Sequence, residues 1–573
     1  MDKFKGRLVG TLFILVFLFA LAAARTGYIQ VVRGEHYARQ AMAGETEGVA
    51  LEDYARGGIL DRQGRPLTGS YRANRVVVFP QLLEEPLALI GELYAAAGVD
   101  CPEVVKKMIK DGKPVVLPFA VAERQLELIR AAGREGLVVA PYSFRYGPRP
   151  LASHVLGHLG RVRDARELAG LNQTVNKPYR LSDWVGRQGL ELYYEKELKG
   201  IYPASLAGLY TDALGQPLAG LPVVVETGLG DFTRSDLVTT IDADIQEVVE
   251  RVMDRQIKKG AVVVMERSSG DILAMASRPS YNPGPGAGEL TAPGDEERFV
   301  NQAVSLFQPG SIFKVVVAAA ALSEGLAGPG SRFYCRGGSD SPIRCWNEEG
   351  HGSITLAEAF AQSCNPVFAG LGRELGPERL IRYARALGLD SQEILGYPAQ
   401  VDRRQDLGLI AGRYNLVNSS VGQGPVLATP VQITAMINAV ANGGAYLPPR
   451  LVREVRPARG EPRKISPGQP VAALSPEVAR QVSEMMVMVT RQGVGLKAWL
   501  ARGGSAGKTG SAQLGQGVEA VNAWFSGYAP LDSPAYTITV LVREGLSGGD
   551  TAAPVFREIA EKLPDLEKQK TRP

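Results

Sequence analysis

At 573 residues the chain is too long for one ordinary domain, and two or three are expected. A composition that is 45% apolar and 22% charged is that of a globular protein and excludes a disordered one. A net charge of +4, from 64 basic and 60 acidic residues with no long basic run, gives no basis for nucleic-acid binding.

The N-terminus opens with Lys3, Lys5 and Arg7, followed by an uncharged, mostly apolar run from Leu8 to Ala24. At ~1.5 Å per residue, roughly 17 residues barely cross a ~30 Å bilayer core. Thr26 to Val32 extends the run around Arg25. Leu21-Ala22-Ala23-Ala24 also resembles a small-residue cleavage site. The run exceeds the usual 7–15 residues of a signal peptide, so an uncleaved signal anchor is expected. Basic residues ahead of it keep the N-terminus in the cytoplasm and put the remainder outside.

After Tyr28 to Val32 comes a polar, helix-like stretch through Ala43. In Arg56 to Leu67, the segment Asp61-Arg62-Gln63-Gly64 supplies turn chemistry between apolar patches, which predicts a hairpin. Leu87 to Arg134 alternates helical patterns with a short apolar run at Pro114 to Phe119. Val155 to Asp236 reads as short mixed elements with Gly and Pro punctuation. The histidines number only four, and His154 and His158 are expected to be structural, at a surface or interface.

The texture changes near Asp236. Leu237 to Ile241 reads as a strand, and Asp242 as the cap of a helix with Ile245, Val248, Val249, Val252, Met253 and Ile257 on one face. Ala261 to Met265 and Ile272 to Ser277 flank a hairpin turn at Arg267 to Asp271. A helical middle is predicted from Ser311 to about Val440, then strands over Asn522 to Tyr528 and Tyr536 to Arg543, then a helix from Pro554 to Leu563. That order predicts an α+β fold with helices on an antiparallel sheet. Asp565 to Pro573 reads as a frayed, charged tail.

Three short motifs fall in this second region. Ser311-Ile312-Phe313-Lys314 follows a Pro-Gly break, and a side chain at i+3 shares the helix face of i. Ser363-Cys364-Asn365 precedes the apolar Val367-Phe368-Ala369, and Lys508-Thr509-Gly510-Ser511 lies on an expected edge strand. Ser-x-x-Lys, Ser-x-Asn and Lys-Thr-Gly together are far more specific than any one alone. Ser311 needs a base, and with only His351 in the region Lys314 is the economical choice, held neutral by burial and by Lys508 nearby. Ser363 can pass a proton to a leaving amine, and Asn365 can hold Lys314 and a substrate amide. Lys508 and Thr509 suit a carboxylate, Gly510 lets a substrate backbone approach, and the N–H groups of Ser311 and Ser511 suit an oxyanion. Gly503-Gly504-Ser505-Ala506-Gly507 mimics a nucleophile elbow, but no histidine follows it. Gly507-Lys508-Thr509 mimics a P-loop end, but Arg502 stands where its first glycine belongs.

The set resembles a class B penicillin-binding protein, a membrane-anchored peptidoglycan D,D-transpeptidase. The likeness includes Arg56-Gly57-Gly58-Ile59-Leu60-Asp61-Arg62, Gly186-Arg187-Gln188-Gly189-Leu190-Glu191, Gly422-Gln423-Gly424, Thr429-Pro430-Val431-Gln432 and Trp524-Phe525-Ser526-Gly527-Tyr528. It implies a penicillin-binding transpeptidase (serine β-lactamase-like) fold on an elongated pedestal behind one transmembrane helix. The expected parts are a cytoplasmic N-terminus (1–7), an anchor (8–30), a dimerisation-like pedestal (31–235), the transpeptidase domain (236–565) and a tail (566–573). It further implies acylation of Ser311 by D-Ala-D-Ala stem peptides, inhibition by β-lactams, and partnership with a SEDS-class glycan polymerase (shape, elongation, division and sporulation) and other membrane morphogenesis proteins. The Ser363-Cys364-Asn365 form looks like sporulation or division members. A β-lactam sensor, a secreted β-lactamase and a non-catalytic activator of a polymerase are the competing readings. No cofactor is expected for catalysis. Cys335, Cys345, His351 and Cys364 would suit a structural zinc and resemble a zinc site of some elongation-type relatives, with Cys335 in place of a carboxylate. Disulfides Cys335–Cys345 or Cys345–Cys364, or free buried thiols, are the alternatives.

Overall fold

The computed structural model describes residues 2–28, 46–119, 136–175, 177–211, 216–218, 223–228, 230–284, 296–340, 343–398, 405–412, 414–515 and 520–570. The helix-like stretch expected up to Ala43 and the end of the expected anchor lie outside the described residues. A helix spans Asp2–Gly27, and its apolar side chains Leu12, Ile14 to Phe19 and Leu21 are exposed. Among the described residues no helix is long and apolar enough to cross a membrane.

The chain forms two compact units. One gathers the residues up to Ala55 with Tyr71–Phe144 and Tyr202–Asp231. Its strand Tyr71–Val78 is buried on both faces at its second half. Val76 and Val78 pack with Ile90, Tyr94 and Ile109 of two helices, while Val77 and Phe79 join Leu51, Ala140 and Ala207. That is the two-residue period of a strand at work.

The other unit gathers Arg56–Ser70, Arg145–Ile201 and Phe232–Pro573. The stretch 31–235 is therefore not one compact body, since two of its segments fold with the C-terminal residues. Ile59–Leu60 pairs in parallel with Ser235–Thr239, and Ile59, Leu67, Leu156 and Leu190 share a core with Leu237 and Ile272. Asp61 makes the predicted turn: its carboxylate accepts the N–H groups of Gln63 and Arg65, both at 2.8 Å. Two of the quoted motifs also meet here. The Arg56 guanidinium contacts Glu191 and Glu195, each at 2.9 Å, and Arg145 reaches Glu191 at 2.7 Å. His154 and His158 are buried rather than at a surface, edge-on to Tyr281. Burial pushes His154 down to about 4, so its ring stays neutral.

In chain order this unit supplies helix α1 (Ala243–Gln256), strands β1 (Gly260–Glu266) and β2 (Ile272–Arg278), helix α2 (Lys314–Ser323), strands β3 (Arg332–Cys335) and β4 (Gly352–Thr355), and helices α3 (Leu356–Ala361), α4 (Asn365–Ala386), α5 (Pro430–Ala441) and α6 (Pro476–Gln492). Strands β5 (Ala506–Gln513), β6 (Val521–Ala529) and β7 (Tyr536–Gly545) and helix α7 (Ala553–Lys570) close it. The five-stranded antiparallel sheet has the order β2-β1-β7-β6-β5, so β5 is an edge, as predicted. Asp242 caps α1 by accepting the N–H groups of Asp244 and Ile245. Along β6 and β7, Trp524 and Leu541 face the core shared with α2, α4, α5 and α6. Phe525 and Val540 face the core shared with α1 and α7. Helices thus cover both faces of the sheet. Two details depart from expectation. The helical middle is interrupted by the hairpin β3–β4, and α7 continues to Lys570 through most of the expected tail.

Candidate active site

Pro309 and Gly310 set the turn that carries Ser311. Gly310 has φ +56, and residues Gly310–Phe313 form a 3-10 turn that runs into α2. In such a turn residues i and i+3 eclipse, which brings Ser311 and Lys314 to one side. Gly310 N–H donates to Gly422 O at 3.0 Å, and a Cβ on Gly422 would lie 1.8 Å from Gly310 O. Trp524 Nε1 donates to Gln308 O at 3.1 Å, and Gln308 Nε2 to Gly424 O at 2.8 Å. The Gly-Gln-Gly and Trp-Phe-Ser-Gly-Tyr motifs therefore brace the turn that carries Ser311.

Helix α2 is apolar all round and buried, so its first residue is buried too: Lys314 is 0% exposed. Its Nζ donates to Ser363 O at 2.7 Å, to Asn365 Oδ1 at 2.7 Å and to Ser363 Oγ at 3.3 Å. Lys508, also 0% exposed, donates from Nζ to the same Ser363 Oγ at 3.0 Å. Phe368 lies 5.5 Å from the Lys314 ammonium and Phe360 5.6 Å from that of Lys508. Burial pushes Lys314 down to about 7, against a smaller opposing pull from Cys364 and Cys345. Burial, and then the charge of Lys314, pushes Lys508 well below the usual lysine range. Burial is thus the main reason Lys314 can be neutral.

Ser363 holds a left-handed backbone (φ 55), a strained state for a serine and one found at functional sites. It places the hydroxyl between the two lysines. Ser311, Ser363, Asn365, Thr509 and Ser511 all line one cleft of about 1110 Å³. Ser311 Oγ makes no hydrogen bond to Lys314 among the described residues, whose Nζ is engaged by Ser363 and Asn365. A Cβ on Gly510 would lie 2.5 Å from Pro309 O, so the glycine admits the turn that carries Ser311 against β5. A Cβ on Gly310 would meet Ser511 C and N at 3.1 Å, which puts the Ser311 and Ser511 backbones side by side.

The ligand atoms of Cys335, Cys345, His351 and Cys364 lie within 4.8 Å of one another. All four cysteines of the chain are free, so neither expected disulfide forms. The sulfurs converge on a shared point with the imidazole instead of pairing. Cys345 Sγ lies 3.5 Å from His351 Nδ1, and the buried Nε2 of that ring has no hydrogen-bond partner among the described residues. The hydrogen bond between the two thiols pushes Cys345 down, toward the thiolate, and Cys364 up. The donor set fits zinc. Hairpin β3–β4 brings Cys335 to this cluster, which spacing alone did not reveal. Arg344 and Trp346 flank Cys345 and also line the cleft, and their only signal in the sequence is that they neighbour a candidate ligand.

The profile of the penicillin-binding protein transpeptidase domain matches residues 260–561, more than half of the chain, and that of the penicillin-binding protein dimerisation domain matches 52–223. The chain is a class B penicillin-binding protein. Among relatives of this class B protein, Stage V sporulation protein D of Bacillus subtilis (strain 168) is 30% identical, covering 98% of this chain and 86% of its own. Peptidoglycan D,D-transpeptidase PbpA of Mycolicibacterium smegmatis is 33% identical, covering 56% of this chain and 70% of its own. A chain from a solved structure described as structural coordination of polymerization and crosslinking by a peptidoglycan synthase complex matches with TM-score 0.67 and 26% identity, covering 97% of both.

Proposed function

We propose that this penicillin-binding protein is a peptidoglycan D,D-transpeptidase acting through a Ser311 acyl-enzyme. The observation that carries it is Lys314, fully buried beside Ser311 and pushed down to about 7, with its Nζ fixed on Ser363 and Asn365. Ser311 Oγ attacks the carbonyl carbon of the penultimate D-Ala and its proton passes to neutral Lys314. The oxyanion is held by the N–H groups of Ser311 and Ser511. As the peptide bond breaks, the leaving D-Ala nitrogen takes a proton through the Ser363 hydroxyl. Lys508 and Thr509 bind its carboxylate. An amine of a neighbouring stem then attacks the ester, gives up its proton along the same relay, and Ser311 Oγ is reprotonated as the new amide forms. β-Lactams acylate the same serine. Labelling with a fluorescent penicillin is expected to mark the native chain at Ser311 and to vanish in Ser311→Ala; equal labelling of that variant would sink the assignment.

Cys335, Cys345, His351 and Cys364 would hold one structural zinc, tying the Ser363–Asn365 segment to hairpin β3–β4. Four protein ligands leave no open position, so the ion supplies cohesion, not chemistry. Elemental analysis of the unchelated protein is expected to give one zinc per chain, lost together with thermal stability in Cys345→Ser. A metal-free native protein refutes the site. The apolar run 8–24 behind three cations supports a single-pass anchor with the catalytic unit outside the membrane. The likeness to a chain of a peptidoglycan synthase complex supports a glycan-polymerising partner, for which a SEDS-class polymerase is the candidate.

A further inference from the structure

One stretch of the cleft's wall is formed by Ile343, Arg344 and Trp346. Burial alternates along it: Arg344 exposed, Cys345 buried, Trp346 exposed. Cys345 points inward to the sulfur cluster and thereby turns both neighbours out, and both line the cleft. The Arg344 carbonyl accepts from Asn365 Nδ2 at 3.4 Å, and Asn365 holds the catalytic lysine, so this wall stands next to the reacting centre. Trp346 is fixed although 58% exposed. Its Nε1 donates to Gln362 O at 2.9 Å and its ring sits edge-on to His351, with centroids 5.7 Å apart. A held, half-open indole is a surface for aliphatic groups.

Charge decides what Arg344 can read. Among the described residues, three charged side chains line the cleft, Arg344, Lys497 and Asp550. Lys497 and Asp550 neutralise each other at 2.7 Å. Arg344 has no ion pair among the described residues. In the proposed reaction the terminal carboxylate of the donor goes to Thr509, which lines the cleft, and to the buried Lys508 beside it. An unpaired guanidinium on a separate stretch of the lining suits a second anion, and its planar fork suits a carboxylate.

We infer that Arg344 and Trp346 form a subsite for a second carboxylate of the stem peptide, with the indole packing on the methylenes that bear it. This rests on the transpeptidase reading and adds the substrate class: stems with a free side-chain carboxylate, as in a diamino diacid, over stems in which it is absent or amidated. The test uses the full chain in detergent and two D-Ala-D-Ala donors identical except for a free or amidated side-chain carboxylate. Acylation of Ser311 is timed by mass spectrometry. The native protein is expected to favour the free acid by about tenfold. Arg344→Gln brings the ratio to about one by slowing the free acid, and Arg344→Lys keeps part of it. Trp346→Ala raises KM for both donors alike; an unchanged KM removes the indole from the subsite. A native ratio near one, or a native ratio retained in Arg344→Gln, overturns the proposal. Penicillin labelling run beside it keeps the two readings apart. A labelled chain with no preference loses only the subsite, whereas an unlabelled chain loses the transpeptidase reading.

Discussion

Gly510→Ala tests the argument that the nucleophile turn is seated by the absence of a side chain on β5. The added Cβ would lie 2.5 Å from Pro309 O, with Ile312 Cγ1 and Trp524 Cβ each at 3.2 Å. The first contact is with backbone and is roughly 1 Å short of ordinary van der Waals separation. Strand β5 cannot retreat easily, because Gly510 is paired with Trp524 within the β5–β6 ladder. The turn must move instead, and it carries Ser311 together with one of the two oxyanion donors. A displacement of ~1 Å at a reacting centre costs about 10²-fold, and loss of one oxyanion donor costs about 10²–10³-fold. The expected result is a fall of about 100-fold in the second-order rate of penicillin acylation, with about 1–3 kcal/mol of stability lost to overpacking. The assay is a time course of acylation followed by intact mass, with circular dichroism to confirm folding. Gly370→Ala is the control, since a Cβ there meets nothing within 4 Å. A folded Gly510→Ala protein that acylates within threefold of the native rate would falsify the reasoning.

Two further outcomes follow from charge burial. Only the neutral amine of Lys314 can accept the Ser311 proton, so with Lys314 at about 7 acylation is expected to be full above that pH. It should halve near 7 and then fall about tenfold per unit below it; a rate flat from pH 5 to 9 contradicts Lys314 as the base. At Glu191, burial opposes the charge but the guanidiniums of Arg145 and Arg56 outweigh it and hold the carboxyl below its ordinary range. Glu191→Gln leaves two buried cations short of a counter-charge and is expected to cost about 3–5 kcal/mol in a urea melt; a loss under 1 kcal/mol would show the network to be dispensable.

Much of the site was legible because its parts are local. Ser311 and Lys314 lie one turn apart, Asp242 caps its own helix, and the hairpin at Arg267 to Asp271 needs only its turn residues. The edge position of β5 and the antiparallel order also followed from the pattern of strands. Distance along the chain hid the rest. Arg56 and Glu191 are 135 positions apart, and no local pattern announces that they share a buried pair. The hairpin β3–β4 is too short for a periodicity to show. That Gly510 also admits the backbone of Pro309 was hidden, because sequence does not tell which backbone approaches a glycine. His154 and His158 looked like surface residues because nothing nearby in sequence forecasts Tyr281 and Phe299 around them.

The sequence by itself pointed to the family, since three motifs in order offer a candidate nucleophile, base and carboxylate site and resemble those of penicillin-binding proteins. Only the tertiary structure decided the state of those groups. Lys314 can be neutral because an all-apolar helix and the Phe368 ring exclude water from it. Ser363 can relay a proton because a strained backbone holds its hydroxyl between two lysines. The cysteines form one cluster with His351 because a hairpin and a helix start bring together residues up to 29 positions apart. Each of these depends on desolvation or on convergence of distant segments, and neither is a property of a short stretch of chain.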